Sequence, residues 1–273
     1  MKLGKKIGSM ALAMAMIFSV NVSAFAADNT ENMDMALRNR GYPQVILDRM
    51  SPTAKESLYE KDYLEFQCGV ITTYDEDSGE FADYNIYGSN IMPVGQIPVS
   101  DLTLTWLVSN DTQNDELFVQ YSYNWEELPF FRWQDPIAVS WDDSLFEMKD
   151  DSFYKVDKYD GYSVNTAGFP INSFTGMIKS EEYGYASGYN AGVTWYADLV
   201  GHNPAIVVEA MYGHGEFTLE KKTSGSGSSK IYGHYVHPTA SVGASISIPK
   251  FGSFSVSGGG GYDERGNQTT IKY

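Results

Sequence analysis

Two runs of strictly alternating residues constrain this chain more than anything else in it. Leu102, Leu104, Trp106 and Val108 fall on one side of an extended segment, and Leu117, Val119, Tyr121, Tyr123 and Trp125 on one side of the next. The polar stretch Asn110–Glu116 joins them. Because successive side chains of a strand point to opposite faces, each run presents one apolar face, and the pair reads as an antiparallel hairpin.

The same period recurs through most of the chain. Val70–Tyr74 and Phe81–Tyr87 flank Asp75-Glu76-Asp77-Ser78-Gly79-Glu80, a hairpin signal. Residues 88–100 hold Gly88, Pro93, Gly95 and Pro98 and read as loop. Pro129 and Pro136 interrupt the middle, where Ile137–Trp141 is a strand candidate closed by Asp142-Asp143. Residues 159–192, rich in Gly, Tyr, Ser and Asn, suggest short strands with wide loops, and Val193–Val200 a further strand. Ala205–Lys222 reads as one long strand with Gly213 and Gly215 as bulges. Thr223–Ser229 turns it back into Ile231–Ile248, and Ser253–Ser257 and Thr269–Tyr273 complete a meander.

The N-terminal part has a different texture. Asn32–Arg38 is a short helical segment with Gly41 placed as its cap. Pro43 opens a second turn through Val45, Ile46, Leu47 and Met50, and Ser51-Pro52 has the form of a helix start, serine as N-cap and proline at the first helical position. These helices are too short to fold alone and read as a docking arm. The fold expected is therefore all-β, an antiparallel two-sheet sandwich or meander with a short helical N-terminal arm: residues 27–62 the arm, residues 63–273 the β-rich domain.

Residues 1–26 read as a secretory signal peptide. Lys2, Lys5 and Lys6 form a cationic start, Met10–Val20 an apolar run too short for a membrane span, and Ala24-Phe25-Ala26 a cleavage motif. Cleavage before Ala27 leaves 273 − 26 = 247 residues, an exported chain with no cysteine at its new N-terminus to carry lipid. The full chain carries a formal charge of −16, and loss of the three signal lysines makes it −16 − 3 = −19. That excess argues against nucleic acid or anionic lipid as an electrostatic partner. Cys68, the single cysteine, excludes an intramolecular disulfide and reads as a packed core thiol.

Three constellations are candidates for chemistry. The histidines are His202, His214, His234 and His237. If the Gly/Ser turn closes a hairpin near residue 226, His214 approaches His237 with Glu216 beside it, a set able to hold zinc or a similar ion. His234 and His237 differ by three and so face opposite ways on an unbroken strand. Trp125, Trp133 and Trp141 recur every eight residues with Phe130 and Phe131 between them, and an exposed platform of such rings suits carbohydrate or peptide. The alternative for these tryptophans is core. Asp75–Gly79 resembles the opening of a calcium loop, but strand-like flanks favour a solvated hairpin turn.

There is no nucleophile elbow, P-loop or dinucleotide fingerprint, and no cofactor is implied. Val242, Ala244, Ile246 and Ile248 alternate with Gly243, Ser245 and Ser247, as in hairpins that enter membranes. The ending Thr269-x-Ile271-x-Tyr273 resembles the aromatic-terminated last strand of outer-membrane barrels, over those few residues only, while the prolines and the helical arm do not fit a barrel. The leading expectation is a secreted, non-catalytic protein that binds envelope glycan or an extracellular protein. The alternatives are a membrane-inserting β protein and a metal-assisted extracellular hydrolase.

Overall fold

The structure is a computed structural model that describes residues 31–87, 100–181, 191–201, 203–240 and 243–273. Residues 1–26, read above as a signal peptide, most of the 88–100 loop, His202 and Val242 lie outside the described residues. Within them the chain is an all-β sandwich with a small helical arm, built entirely from antiparallel pairings.

The arm consists of α1 (residues 31–39), α2 (Gln44–Leu47) and α3 (Pro52–Glu60). Gly41 follows α1 at φ +84°, a left-handed conformation that glycine adopts without steric cost. Ser51 caps α3 by accepting from the Ala54 N–H at 3.3 Å, with Pro52 at the first helical position.

The strands are β1 (Leu64–Asp75), β2 (Glu80–Tyr87), β3 (Leu102–Asp111), β4 (Glu116–Trp125), β5 (Gln134–Trp141), β6 (Phe146–Met148), β7 (Tyr154–Val164), β8 (Pro170–Glu181), β9 (Gly192–Asp198), β10 (Ile206–Lys221), β11 (Ser228–Pro238), β12 (Ala244–Lys250), β13 (Ser253–Gly258) and β14 (Tyr262–Lys272). One sheet runs β2-β1-β3-β4-β10-β7-β8, with β6 also paired to β10. The second runs β14-β11-β5-β9, and β12 and β13 form a separate hairpin.

These pieces stack as four layers: arm, large sheet, small sheet, hairpin. The main core fills the space between the sheets, where Trp106, Tyr121, Tyr123 and Trp125 of the large sheet meet Ile137, Trp141, Val193, Trp195 and Tyr235 of the small one. On the outer face of the large sheet, Leu37, Ile46, Leu47 and Leu58 of the arm cover Phe66, Ile71, Leu107 and Phe118. Both faces of β3 are therefore buried, and the polar residues between its alternating apolar ones find partners under the arm. Ser109 pairs with the Tyr42 hydroxyl at 2.7 Å, and Thr105 donates to the Arg49 carbonyl at 3.3 Å. On the far side, Ala244, Ile246 and Ile248 of β12 pack on Ala138 and Val236. The apolar face of the hairpin, which the alternation left open to a membrane, is spent on the small sheet.

Three local expectations are revised. Of the stretch 159–192, the strands described up to residue 181 are long rather than short, β7 and β8 pairing from Lys155 to Val164 of β7, and residues 182–190 lie outside the described residues. Gly213 and Gly215 are not bulges; the register of β10 shifts between Val208 and Ala210. These glycines face inward, where a Cβ would lie 2.4 Å from the Val156 carbonyl and 2.6 Å from the Trp195 ring respectively. The largest revision concerns the Gly/Ser turn, which closes no hairpin. It carries the chain out of the large sheet, where β10 pairs with β4, β6 and β7, into the small sheet, where β11 pairs with β5 and β14.

Candidate aromatic groove

The loop between β4 and β5 lies at one edge of the sandwich. Pro129 stands in this loop, whereas Pro136 lies within β5, paired opposite Tyr196 of β9, so it does not confine that strand to an edge. The loop is held from below by the turn of the first hairpin. Asp101 accepts the Glu126 N–H at 2.8 Å and the Glu127 N–H at 3.2 Å through its carbonyl. Its carboxylate accepts the Glu76 N–H at 2.6 Å, and the Glu76 carboxylate in turn accepts the Phe130 N–H at 3.1 Å. Arg132 Nε donates to the Pro129 carbonyl at 3.3 Å, which closes the loop on itself.

This brace fixes an apolar display in water. Phe130 is 84% exposed and Trp133 47% exposed. Phe130 and Phe131 meet edge-on, with centroids 4.9 Å apart. The rings border an open groove of about 720 Å³ together with Glu76, Leu128 and Arg132. Burial in the groove pushes the Arg132 guanidinium below its ordinary value, and Arg132 forms no ion pair among the described residues. The groove thus combines flat apolar faces, a fork of donors and a carboxylate acceptor.

Only one of the three tryptophans belongs to it. Trp125 and Trp141 are core residues, 0% and 2% exposed. Trp125 meets Tyr74 edge-on, centroids 6.0 Å apart, and Trp141 meets Phe217 at a tilt of 40°, centroids 5.4 Å apart. The eight-residue recurrence places Trp125 and Trp141 at the inward-facing ends of β4 and β5 and Trp133 in the loop that joins them, so the three cannot form one platform.

The histidines are likewise separated. His214 and Glu216 point from β10 toward α3. His214 Nδ1 lies 2.9 Å from Thr53 Oγ1, and its Nε2 lies 3.3 Å from Glu216 Oε2. Ser57 donates to the same carboxylate at 2.5 Å and Gln120 at 3.1 Å, and Lys61 reaches its other oxygen at 2.9 Å. Burial works to raise the Glu216 pKa, but the hydrogen bonds and charges of His214, Lys61 and Ser57 outweigh it and hold the carboxyl well below the usual range. The hydrogen bonds of Ser57 and Lys61 to the Glu216 carboxylate tie α3 and the residue that follows it to β10 of the large sheet.

His237 sits on the other sheet. Its Nδ1 lies 3.1 Å from Asp135, which also accepts the Tyr235 hydroxyl. The pairing that was to join His214 with His237 does not exist, since β10 and β11 lie in different sheets. Among the described residues no group of three or more His, Cys, Asp or Glu side chains is placed to hold a metal ion. Asp75 Oδ1 accepts from the Ser78 N–H and hydroxyl at 2.8 and 2.9 Å, the geometry of a hairpin turn.

Sequence reasoning did not find Glu76, Asp101 and Arg132 as the frame of the groove. Glu76 and Phe130 are 54 residues apart, and no local pattern announces such a contact. No protein-family model matches this chain, and a search of curated proteins finds no match.

Proposed function

We propose that this is an exported, non-catalytic binding protein that holds a carbohydrate chain of the cell envelope or its surroundings in the groove at Phe130 and Trp133. The observation that carries the reading is the exposure of these rings on a loop braced from Asp101 through Glu76 to Phe130. Exposed aromatic rings held rigid stack on the apolar faces of sugars with little ordering cost, and Arg132 and Glu76 supply donors and an acceptor for hydroxyls. The cationic start and apolar run of residues 1–26 support export.

The test is calorimetric titration of the purified protein with soluble envelope oligosaccharides, against the doubly substituted variant Phe130→Ala, Trp133→Ala. Both positions are exposed, so the variant keeps its fold. The reading expects at least about tenfold weaker binding from the variant. Equal binding by the two proteins, or no saccharide bound by the wild type, would reject it. Fractionation of the producing cells tests export separately: recovery in the medium or the salt-washable wall supports it, and retention in the cytoplasm removes it.

A further inference from the structure

Strand β8 differs from the outer strands β2 and β14 in the charge it carries. An outer strand presents unpaired main-chain groups, and soluble proteins protect such edges with charge, irregularity or cover. At one end of the large sheet, β2 carries Glu80 and Asp83. At one end of the small sheet, β14 carries Asp263, Glu264, Arg265 and Lys272. At the other end of the large sheet, β8 pairs with β7 alone among the described residues, and its stretch Pro170–Ile178 contains no ionisable side chain. Ile171 and Met177 are 57% and 60% exposed on it.

One face of β8 is already used. Phe174 meets Tyr159 edge-on at 5.8 Å, and Gly176 admits the Tyr159 ring, which would lie 2.3 Å from a Cβ there. Ser173, Thr175 and Met177 share the opposite face, and the exposed Ile171 lies beyond them, at the register shift between Asn172 and Pro170. We propose that β8 is the contact between two copies of this chain, paired antiparallel about a two-fold axis at Phe174, so that the large sheets join into one.

The residues are self-complementary in that register. A two-fold axis at Phe174 sets Ile171 of each copy opposite Met177 of the other, and Ser173 opposite Thr175. Apolar meets apolar, and the Ser173 hydroxyl faces Thr175, whose own hydroxyl donates to Asp160 at 2.6 Å and can still accept, so the pairs are of the kind that stabilise sheets. Charge selects the same edge. Two copies of a chain with formal charge −16 repel, and an edge without ionisable groups brings no carboxylate against another. The edges at β2 and β14 would.

Sedimentation velocity of the purified protein over an about hundredfold range of concentration reads the association. The wild type should form a dimer. The variant Ile171→Lys, Met177→Lys places like charges opposite each other at both pairs and should dissociate at least about tenfold more readily. Circular dichroism checks that it stays folded. The variant Ile171→Glu, Met177→Glu should also be monomeric, and an equimolar mixture of the two variants should recover a dimer, because each lysine then faces a glutamate. A wild type that stays monomeric throughout, a dimer that both variants retain, or a mixture that fails to associate overturns the proposal.

Discussion

The side-chain amide of Gln67 on β1 forms two hydrogen bonds with the main chain of Lys272 on β14, donating to its carbonyl at 2.9 Å and accepting its N–H at 2.7 Å. A side chain thereby takes the place of a neighbouring strand, and it crosses from the large sheet to the small one. The register of β1 against β3 shifts between Phe66 and Cys68, so Gln67 is the residue released from the ladder and turned outward. Further along the same seam, Asn267 donates to Thr72 at 2.9 Å and accepts from Trp106 Nε1 at 2.7 Å, and Arg265 pairs with Asp83 at 2.7 Å. The sandwich is laced shut on this side by side chains, which also covers the edge of β14.

Gln67→Ala removes both bonds at once. Water reaches the freed main-chain groups because the site is near the surface, so the expected cost is about 1 kcal/mol rather than the full penalty of buried unpaired groups. Chemical denaturation measures the loss. Hydrogen exchange should show the Lys272 amide losing protection while the amides of β3 keep theirs, and uniform change across the sheet would contradict the lacing.

Gly215→Ala should destabilise by about 1 to 3 kcal/mol, as overpacking does in a close-packed core. The new methyl would lie 2.6 Å from the indole of Trp195, a ring on the opposite sheet that Tyr121 and Phe153 also contact edge-on. The ring has little room to move aside. Near-ultraviolet circular dichroism should change along with the denaturation midpoint. An unchanged midpoint would mean that the two sheets separate more readily than their packing implies.

What the sequence disclosed and what it hid divide along the length of the contacts. The β1–β2 and β3–β4 hairpins and the start of α3 at Ser51-Pro52 depend on period two, turn chemistry and capping, all of which act between near neighbours. The exposed ring of Trp133 was among the residues singled out, but periodicity could not separate it from Trp125 and Trp141, whose burial depends on which sheet each strand end joins. The pairing of His214 with His237 rested on reading Thr223–Ser229 as a hairpin turn. A Gly/Ser segment is equally suited to a crossing between sheets, and nothing local distinguishes the two. The polar contacts that organise the interior join residues far apart: Ser57 and Glu216 across 159 positions, His237 and Asp135 across 102.

Lys155 and Asp157 form an ion pair at 2.9 Å between the sheets, with Asp198 2.7 Å from the same ammonium. Burial is the main influence on Asp157 and pushes its pKa up to about 6, against the charge and hydrogen bond of Lys155 and the Tyr123 hydroxyl. The folded value lies above the unfolded one near 3.8. The protonated form is therefore favoured by folding, its contribution is complete below pH 3.8, and it is lost as pH rises through about 6. Asp157→Asn keeps the shape and removes the titration. The wild type, compared with the variant, should lose about 2 to 3 kcal/mol of stability between the lower and upper ends of that window. Denaturation midpoints of both proteins at several pH values measure it, and parallel curves would place the ionised Asp157 in a more solvated site than between the sheets.

His237 titrates against the opposite influence. Burial lowers its pKa, but the charge and hydrogen bond of Asp135, with smaller effects of Glu76 and Asp263, outweigh burial and raise it above 6.5. The imidazolium is 0% exposed and rests against the ring of Trp125 at 4.9 Å, so its charge is sustained by Asp135 beneath it. Since the folded value exceeds the unfolded one, this pair stabilises fully below pH 6.5, and its contribution fades as pH rises through the folded value. Asp135→Asn removes the largest opposing influence and leaves burial in command. The imidazole resonance of His237, followed by nuclear magnetic resonance across the neutral range, should then titrate below 6.5 instead of above it. The variant should also lose the part of its stability that, in the wild type, declines toward alkaline pH. An imidazole that titrates alike in both proteins would show that the carboxylate does not set its charge, and the core of the small sheet would have to tolerate a buried cation unaided.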